Sequence, residues 1–362
     1  MSAYLSQKLF LKNFLIIGQG IAGTLLALEL QERGQEFSVV SDPSLPTSTR
    51  VAAGMINPVV FRRLLPSWKA AELLPFLNHR YKELEKLFNQ KFFHPLNITK
   101  VIESKQELEI WEKRLAAEDI RDFLKQSIDK ENPESIRAGN AEGFGEVLQS
   151  AYIDTSVFLN AAAAHLSEKG RLIEASFSHD EIQLTPEGLI YQGKNYDTLI
   201  FCEGFFVHRN PYFSFLPFAP VKGDVLTVSI EGYKYDKILN KNFFLLPQVN
   251  GTYRLGATYD WQNLNFAPDQ VAKDDLLKRA SQYVKGEIKV LKHEAGVRPA
   301  SNDRRPFIGP HPQHPQLYIF NGLGTKGIML APFFAAQLAS HLIAGTPIEK
   351  EASVERCYHL KK

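Results

Sequence analysis

Apolar positions run together from Phe14 to Ile17, break at Gly18-Gln19-Gly20, and then recur at helical spacing. Ile21, Leu25 and Leu28 make one stripe, with Ala22, Leu26 and Leu30 beside it, which predicts a helix directly after the turn. A second apolar run, Phe37 to Val40, predicts the next strand. Within this strand–turn–helix–strand unit, glycines 18, 20 and 23 fall at G-x-G-x-x-G. Gly18 permits the tight turn, Gly20 leaves room for a pyrophosphate beside the backbone, and Gly23 lets the helix lie close on the strand. Phosphate charge then meets the N–H groups of the helix start at Ile21 and Ala22. A glycine turn serving packing alone is the alternative reading.

Further along, an acidic residue past the second strand commonly takes ribose hydroxyls. Asp42 stands there, with Ser41 able to fill the same place. Small residues Ala52, Ala53 and Gly54 let backbone approach something flat. Residues 67–90 carry leucines and aromatics on one side and predict a helix, and residues 104–126 predict a charged, exposed one. Residues 131–146 are polar and glycine-bearing and read as loop. Asp154-Thr155-Ser156 can cap a further helix. Strands are expected at 171–177, 181–184 and 188–191, and a buried one in Tyr196 to Gly204. Alternating runs from 221 to 259 predict antiparallel strands, a helix follows at 272–285, and a strand–glycine–helix unit closes the ordered part. Parallel units at the start and antiparallel material in the middle imply an α/β chain whose nucleotide domain is discontinuous.

Composition narrows the class. With 42 basic and 40 acidic residues the net charge is +2, too weak a field to announce nucleic acid or an anionic membrane. Two cysteines exclude a disulfide framework and a cysteine-based zinc site, and Cys202 reads as core. Among ten histidines only His311-Pro-Gln-His314 approaches a metal spacing, and no metal is expected there. No apolar span of membrane length and no leader-like start are read, so a cytoplasmic protein is expected.

Several segments together carry a resemblance. The glycine turn, Ala52–Pro58 (AAGMINP), Tyr196–Gly204 (YDTLIFCEG), "FLLPQVNGTYRLGATYD", "AGVRPASNDRRPFIGP" and "NGLGTKGIMLAP" follow in the order found in one family. The chain resembles the FAD-dependent oxidoreductases that include D-amino acid oxidase, glycine oxidase and sarcosine oxidase. Within that family, AAGM is close to glycine oxidase. "GLGTKGIMLAP" and residues 57–85 look more like the oxidase half of the bifunctional bacterial enzyme that matures a wobble uridine in tRNA. No methyltransferase half is expected here, because the flavin segment begins near residue 1.

The resemblance implies a Rossmann-like FAD-binding domain made of residues 1–85, 148–220 and 296–362. The inserted antiparallel-sheet substrate domain is expected from 86–147 and 221–295. Non-covalent FAD would lie on Gly18 to Gly23 with Ser41 or Asp42 at its ribose. Ala52 to Met55, Phe177, Gly204, Gly322, Gly324, Thr325, Gly327 and Ile328 would complete its site. Lys326 either adds positive charge at the flavin or points to solvent. Arg50 reaches phosphate or is an ordinary surface residue. Arg298 matches the position that clamps a substrate carboxylate, its alternative being an ion pair with Glu294 or Asp303. Phe244 stands where a tyrosine is common, so the site loses one hydroxyl. Tyr253, Tyr259 and Trp261 line the same wall or, as strand aromatics more often do, belong to the core.

The implied reaction is hydride loss from the carbon beside an amine of a small amine or amino acid, giving an imine that water hydrolyses. Dioxygen or a carrier would take the electrons. Two alternatives stay open. One is an RNA-modifying oxidase removing a carboxymethyl group from an aminomethyl uridine, with Arg62, Arg63, Lys69 and Arg80 as a phosphate track. The other is a flavin-binding subunit without turnover.

Overall fold

The computed structural model describes residues 11–131, 133–137, 139 and 141–361. The expectation for the first ten residues lies outside these. Two large sheets organise the chain. Strands β1 (Asn13–Ile17), β2 (Glu36–Ser41), β3 (Ile98–Ile102), β4 (Gly143–Val147) and β5 (Leu172–Glu174) come first. They are followed by β6 (Thr198–Phe201), β7 (Val221–Ile230), β8 (Ile238–Asn240) and β9 (Phe244–Pro247). The last are β10 (Tyr253–Gly256), β11 (Ile288–Arg298), β12 (Phe307–Pro310) and β13 (Leu317–Asn321). The helices are α1 (Ile21–Glu32), α2 (Ala70–Phe88), α3 (Lys105–Leu115), α4 (Thr155–Glu168), α5 (Gln270–Ser281) and α6 (Gly327–Ala344).

The first sheet has the order β5-β2-β1-β6-β13-β12, parallel except for the edge strand β12. β1 lies inside it because Phe14, Leu15 and Ile16 are apolar in succession and wholly buried, as a strand covered on both faces requires. α1 stops at Gly34, whose φ of +67° provides the left-handed residue that ends a helix. Asp154 caps α4 as expected, accepting from the amides of Ser156 and Val157 at 3.1 and 3.0 Å.

The second sheet runs β11-β7-β10-β9-β8-β3-β4. It is antiparallel apart from β3 and β8, which pair in parallel, a departure from the all-antiparallel expectation. Its alternation sorts two faces. Val101, Leu226, Leu239 and Leu245 pack with Leu276 of α5. Ile98, Ile238 and Leu246 join the core built round α1, α2 and α6. One face of this sheet therefore looks toward the nucleotide-type half of the molecule.

Four sequence expectations need correction. The span 131–146 is not all loop: Gly143–Val147 is a buried strand, admitted because Gly145 leaves room for Trp111, whose ring a β-carbon there would meet at 2.3 Å. The helix expected over 104–126 ends at Leu115. Residues 288–298 form a long strand, unread as such. A helix long and apolar enough to cross a membrane does exist, at Gly324–Ala344. Here it is a core helix: Ile328, Phe334, Leu338 and Leu342 are buried in the cluster shared with α1 and α2.

Candidate active site

The glycine turn is shaped by contacts that exclude side chains. Gly18 has φ +104°, and a β-carbon on it would lie 2.5 Å from the Cys202 carbonyl oxygen. A β-carbon on Gly23 would lie 1.9 Å from the Gly18 oxygen, so α1 closes directly on the turn. Gly20 differs: a β-carbon there would meet nothing nearer than Thr49 Oγ1 at 3.5 Å. Thr49 also accepts the Ile21 amide at 3.2 Å. Its part in the turn was not legible from sequence, since the two residues meet only through the fold.

The turn opens into a cavity of about 360 Å³. Ser41, Asp42, Phe177 and Gly204 line it together with Gly18, Gly20, Ile21 and Ala22 of the turn and Gly324, Thr325, Gly327 and Ile328 at the approach to α6 and its first residues. Hydrogen bonds from Ser176 and then Ser44 hold the Asp42 carboxyl below its usual range, so the residue expected at the ribose is an anion. The N-terminus of α6 meets the cavity at Gly327, presenting the positive end of its dipole. The glycine turn, the Asp42 carboxylate and the start of α6 line one cavity, a donor and acceptor set of the kind a dinucleotide such as FAD would need.

Other expected residues stand elsewhere. Of Ala52 to Met55 only Ala52 lines this cavity. Ala53 and Arg50 border a smaller polar pocket, where Arg50 donates to Asn160 Oδ1 at 2.8 Å. Gly54 packs on Ile153, Met55 pairs with Tyr152, and Gly322 turns the chain beside Phe307. Lys326 points neither into the cavity nor to solvent. Its ammonium donates to Asn57 O at 2.8 Å and Ser67 Oγ at 2.6 Å, and burial pushes its pKa down to about 8. Phe244 crosses over Gly256 of the neighbouring strand without lining the cavity.

Arg298, at the end of β11, does line it, with Gly223, Val225 and Gly296 of the second sheet. The guanidinium lies flat over Gly223, where a β-carbon would come within 2.2 Å of it, and over the Tyr259 ring at 5.0 Å. Its hydrogen bonds are two long ones, 3.4 Å each, to the carbonyls of Lys222 and Thr258. The ion pairs proposed as its alternative are made by others: Glu294 with Arg254 and Lys292, Asp303 with Arg356. Burial lowers the guanidinium's pKa from its ordinary value, while nearby Tyr259 and Asp224 act in the opposite direction. Arg254 also donates to the Val51 carbonyl at 2.6 Å, tying the second sheet to residues 48–51. Of the expected aromatics, Tyr253 is buried, while Tyr259 and Trp261 are exposed and not core. The phosphate track is likewise broken, since Arg80 is buried against Glu29 and Glu32, and Lys69 pairs with Glu72 and Glu349.

A parallel sheet with a glycine-turn cavity, into which a second sheet sends an arginine that makes no ion pair among the described residues, is the arrangement of a nucleotide-binding α/β protein. The comparison with family models makes this particular: residues 13–341 match the FAD dependent oxidoreductase family, and the chain belongs to it. It is 30% identical over 137 residues to the glycine oxidase of Bacillus licheniformis, 37% of each chain. It is 22% identical to the tRNA 5-methylaminomethyl-2-thiouridine biosynthesis bifunctional protein MnmC of Leptospira interrogans, across 97% of this chain and 60% of that protein. The matches thus span 37% and 60% of the length of these relatives, under two thirds in both. Its fold is shared with the crystal structure of glycine oxidase from Geobacillus kaustophilus (TM-score 0.79, 17% identity, 93% of this chain and 96% of that one). It is also shared with iminodiacetate oxidase from Chelativorans sp. BNC1 (TM-score 0.78, 18% identity, 95% and 98%). The cavity lined by the glycine turn is the candidate place for the family's FAD.

Proposed function

We propose that this chain oxidises the carbon–nitrogen bond of a small amine or amino acid that bears a carboxylate, best described as a carboxymethylamine, N–CH₂–COO⁻. The observation that carries this reading is Arg298, which lines the cavity and has no carboxylate of its own. Its planar, paired donors suit a carboxylate better than a point charge would. Glycine and iminodiacetate, named for two relatives, both contain the unit.

FAD, bound without a covalent link, supplies a hydride acceptor. The protein's task is placement. Arg298 fixes the carboxylate, and the adjacent CH₂ is thereby oriented toward the cavity. Loss of its hydride leaves the nitrogen lone pair to form a carbon–nitrogen double bond, which water hydrolyses to glyoxylate and the freed amine. Of the titratable groups lining the cavity, His179 and Glu203 meet at 2.9 Å, and Asn210 donates to the same carboxylate. Asp224, whose charge acts on Arg298, is itself engaged by His293 at 2.8 Å and by the Thr258 hydroxyl at 3.3 Å. The amine enters neutral, and its pKa governs the pH dependence.

The second reading, oxidation of the same unit on an RNA base, is favoured by the end-to-end match to the tRNA-modifying relative. Both are tested by mixing the FAD-loaded protein, without oxygen, with glycine, sarcosine, iminodiacetate and carboxymethylaminomethyl uridine. Loss of the oxidised-flavin absorption with release of glyoxylate is expected. A flavin that dithionite bleaches but no carboxymethylamine does would end the proposal.

A further inference from the structure

Two large aromatic side chains stand in solvent beside Arg298. Tyr259 is 55% exposed and Trp261 65%. Their rings stack with centroids 6.0 Å apart and planes 22° from parallel. The Arg298 guanidinium lies over the Tyr259 ring, so the three groups form one contiguous surface that starts at the cavity wall. Exposing an indole forfeits the free energy its burial would return, and such a patch beside a site marks recognition.

The pair is held in place before anything arrives. Asp260, between the two rings, is pinned to β7: Lys222 N donates to its carbonyl at 2.9 Å, and its own N–H donates to Lys222 O at 3.0 Å. The Asp260 carboxylate accepts from the amides of Gln262 and Asn263 and from Asn263 Nδ2, at 2.8, 3.1 and 2.9 Å. The Lys222 ammonium anchors the following loop, donating to Ala267 O at 2.6 Å and Asn265 Oδ1 at 3.1 Å. A platform fixed in this way loses little entropy on binding.

We infer that Tyr259 and Trp261 set substrate specificity, taking a planar aromatic group carried on the amine nitrogen while Arg298 holds the carboxylate. This rests on the carboxymethylamine reading above. With the carboxylate on Arg298 and the CH₂ committed to the flavin, the nitrogen substituent is the part free to extend over the stacked rings. Stacking accepts any π-face, and it favours a ring over an alkyl chain. The ring has two possible sources, a small aromatic amine or a pyrimidine base within RNA.

The test uses FAD-loaded enzyme with N-benzylglycine, N-ethylglycine, and carboxymethylaminomethyl uridine as nucleoside and within an anticodon stem-loop. Wild-type enzyme prefers N-benzylglycine to N-ethylglycine in kcat/KM. Trp261→Ala lowers that ratio at least about fivefold, mainly through KM, and Trp261→Phe restores most of it. A ratio in Trp261→Ala within about twofold of wild type overturns the platform. A large gain in the stem-loop over the nucleoside, lost with salt, identifies RNA as the source; equal rates identify a small molecule. Binding is read apart from turnover, by quenching of Trp261 emission taken as the difference from Trp261→Phe. Tighter binding of N-benzylglycine without flavin bleaching keeps the platform and overturns the reaction. Bleaching with no preference for the ring does the reverse. Neither preference nor bleaching overturns both.

Discussion

Gly23 sits so close under Gly18 that a β-carbon on it would lie 1.9 Å from the Gly18 carbonyl oxygen, whereas one on Gly20 between them would make only an ordinary contact, with Thr49 Oγ1 at 3.5 Å. Two glycines of one motif therefore have different duties. Gly23→Ala forces α1 off the strand and should lower thermal stability. Gly20→Val tolerates its β-carbon but puts methyl groups where the cofactor's phosphates approach. It should fold with a near-normal melting temperature in the absence of FAD and lose the yellow colour. Full FAD occupancy in folded Gly20→Val would show that phosphate lies elsewhere.

Arg298→Ala should lower kcat/KM on a carboxymethylamine by roughly ten- to a hundredfold. Hydrogen bonds to charged groups contribute about 1.5–3 kcal/mol, and 1.36 kcal/mol is tenfold. Most of the loss belongs in KM, and FAD content should stay level. Arg298→Lys should recover only part, because a point charge cannot reproduce the fork. Steady-state kinetics beside a flavin absorption ratio decide this. Wild-type efficiency in Arg298→Ala would remove the residue from the site.

His311 provides an acid-sensitive element far from the cavity. Its Nδ1 accepts from the amides of Gln313 and His314 at 3.2 and 3.1 Å, so the ring holds a turn. Burial, aided by Lys361 and His314, pushes its pKa down to about 4 from 6.5. Between those values the unfolded chain binds a proton that the folded chain does not, so stability falls as pH falls through that window. In His311→Asn the amide oxygen can accept both N–H groups without titrating. Melting temperatures of the variant should decline less than wild type from pH 7 to about 5. Parallel declines would exclude His311 as the source.

Lys326 works at the opposite end of the pH scale. Its buried ammonium titrates near 8, below the usual 10.5, and donates to Asn57 and Ser67. Between about 8 and 10.5 the unfolded chain holds the extra proton, so Lys326 destabilises less as pH rises. The difference in denaturant midpoint between wild type and Lys326→Met should shift toward wild type over that range. A pH-independent difference would place the ammonium in water instead.

Much of the nucleotide half was legible in sequence, because its signals are local. The β1–turn–α1 unit depends on three nearby glycines, and the Asp154 cap on amides two and three residues away. What escaped was decided by distant partners. β4 read as loop because its glycines are there for Trp111 and Ile128, which come from other elements. Lys326 was left between flavin and solvent, since nothing near it in sequence announces the Asn57 carbonyl. Tyr259 and Trp261 fit an alternating strand pattern, and a backbone bridge to Lys222 is what turns them outward.

The cavity draws its walls from Ile17 at one end of the chain to Ile328 near the other. On the ribosome, β1 can pair with β2 early, but its other neighbour β6 waits for Thr198–Phe201, and the helix start at Gly327 comes later still. Emerging at about 5–20 residues per second, the chain has no closed pocket until the residues up to Ile328 are out. Cofactor capture in this cavity would have to wait for that point. A truncation that spares every glycine of the first motif but removes α6 should yield a colourless protein.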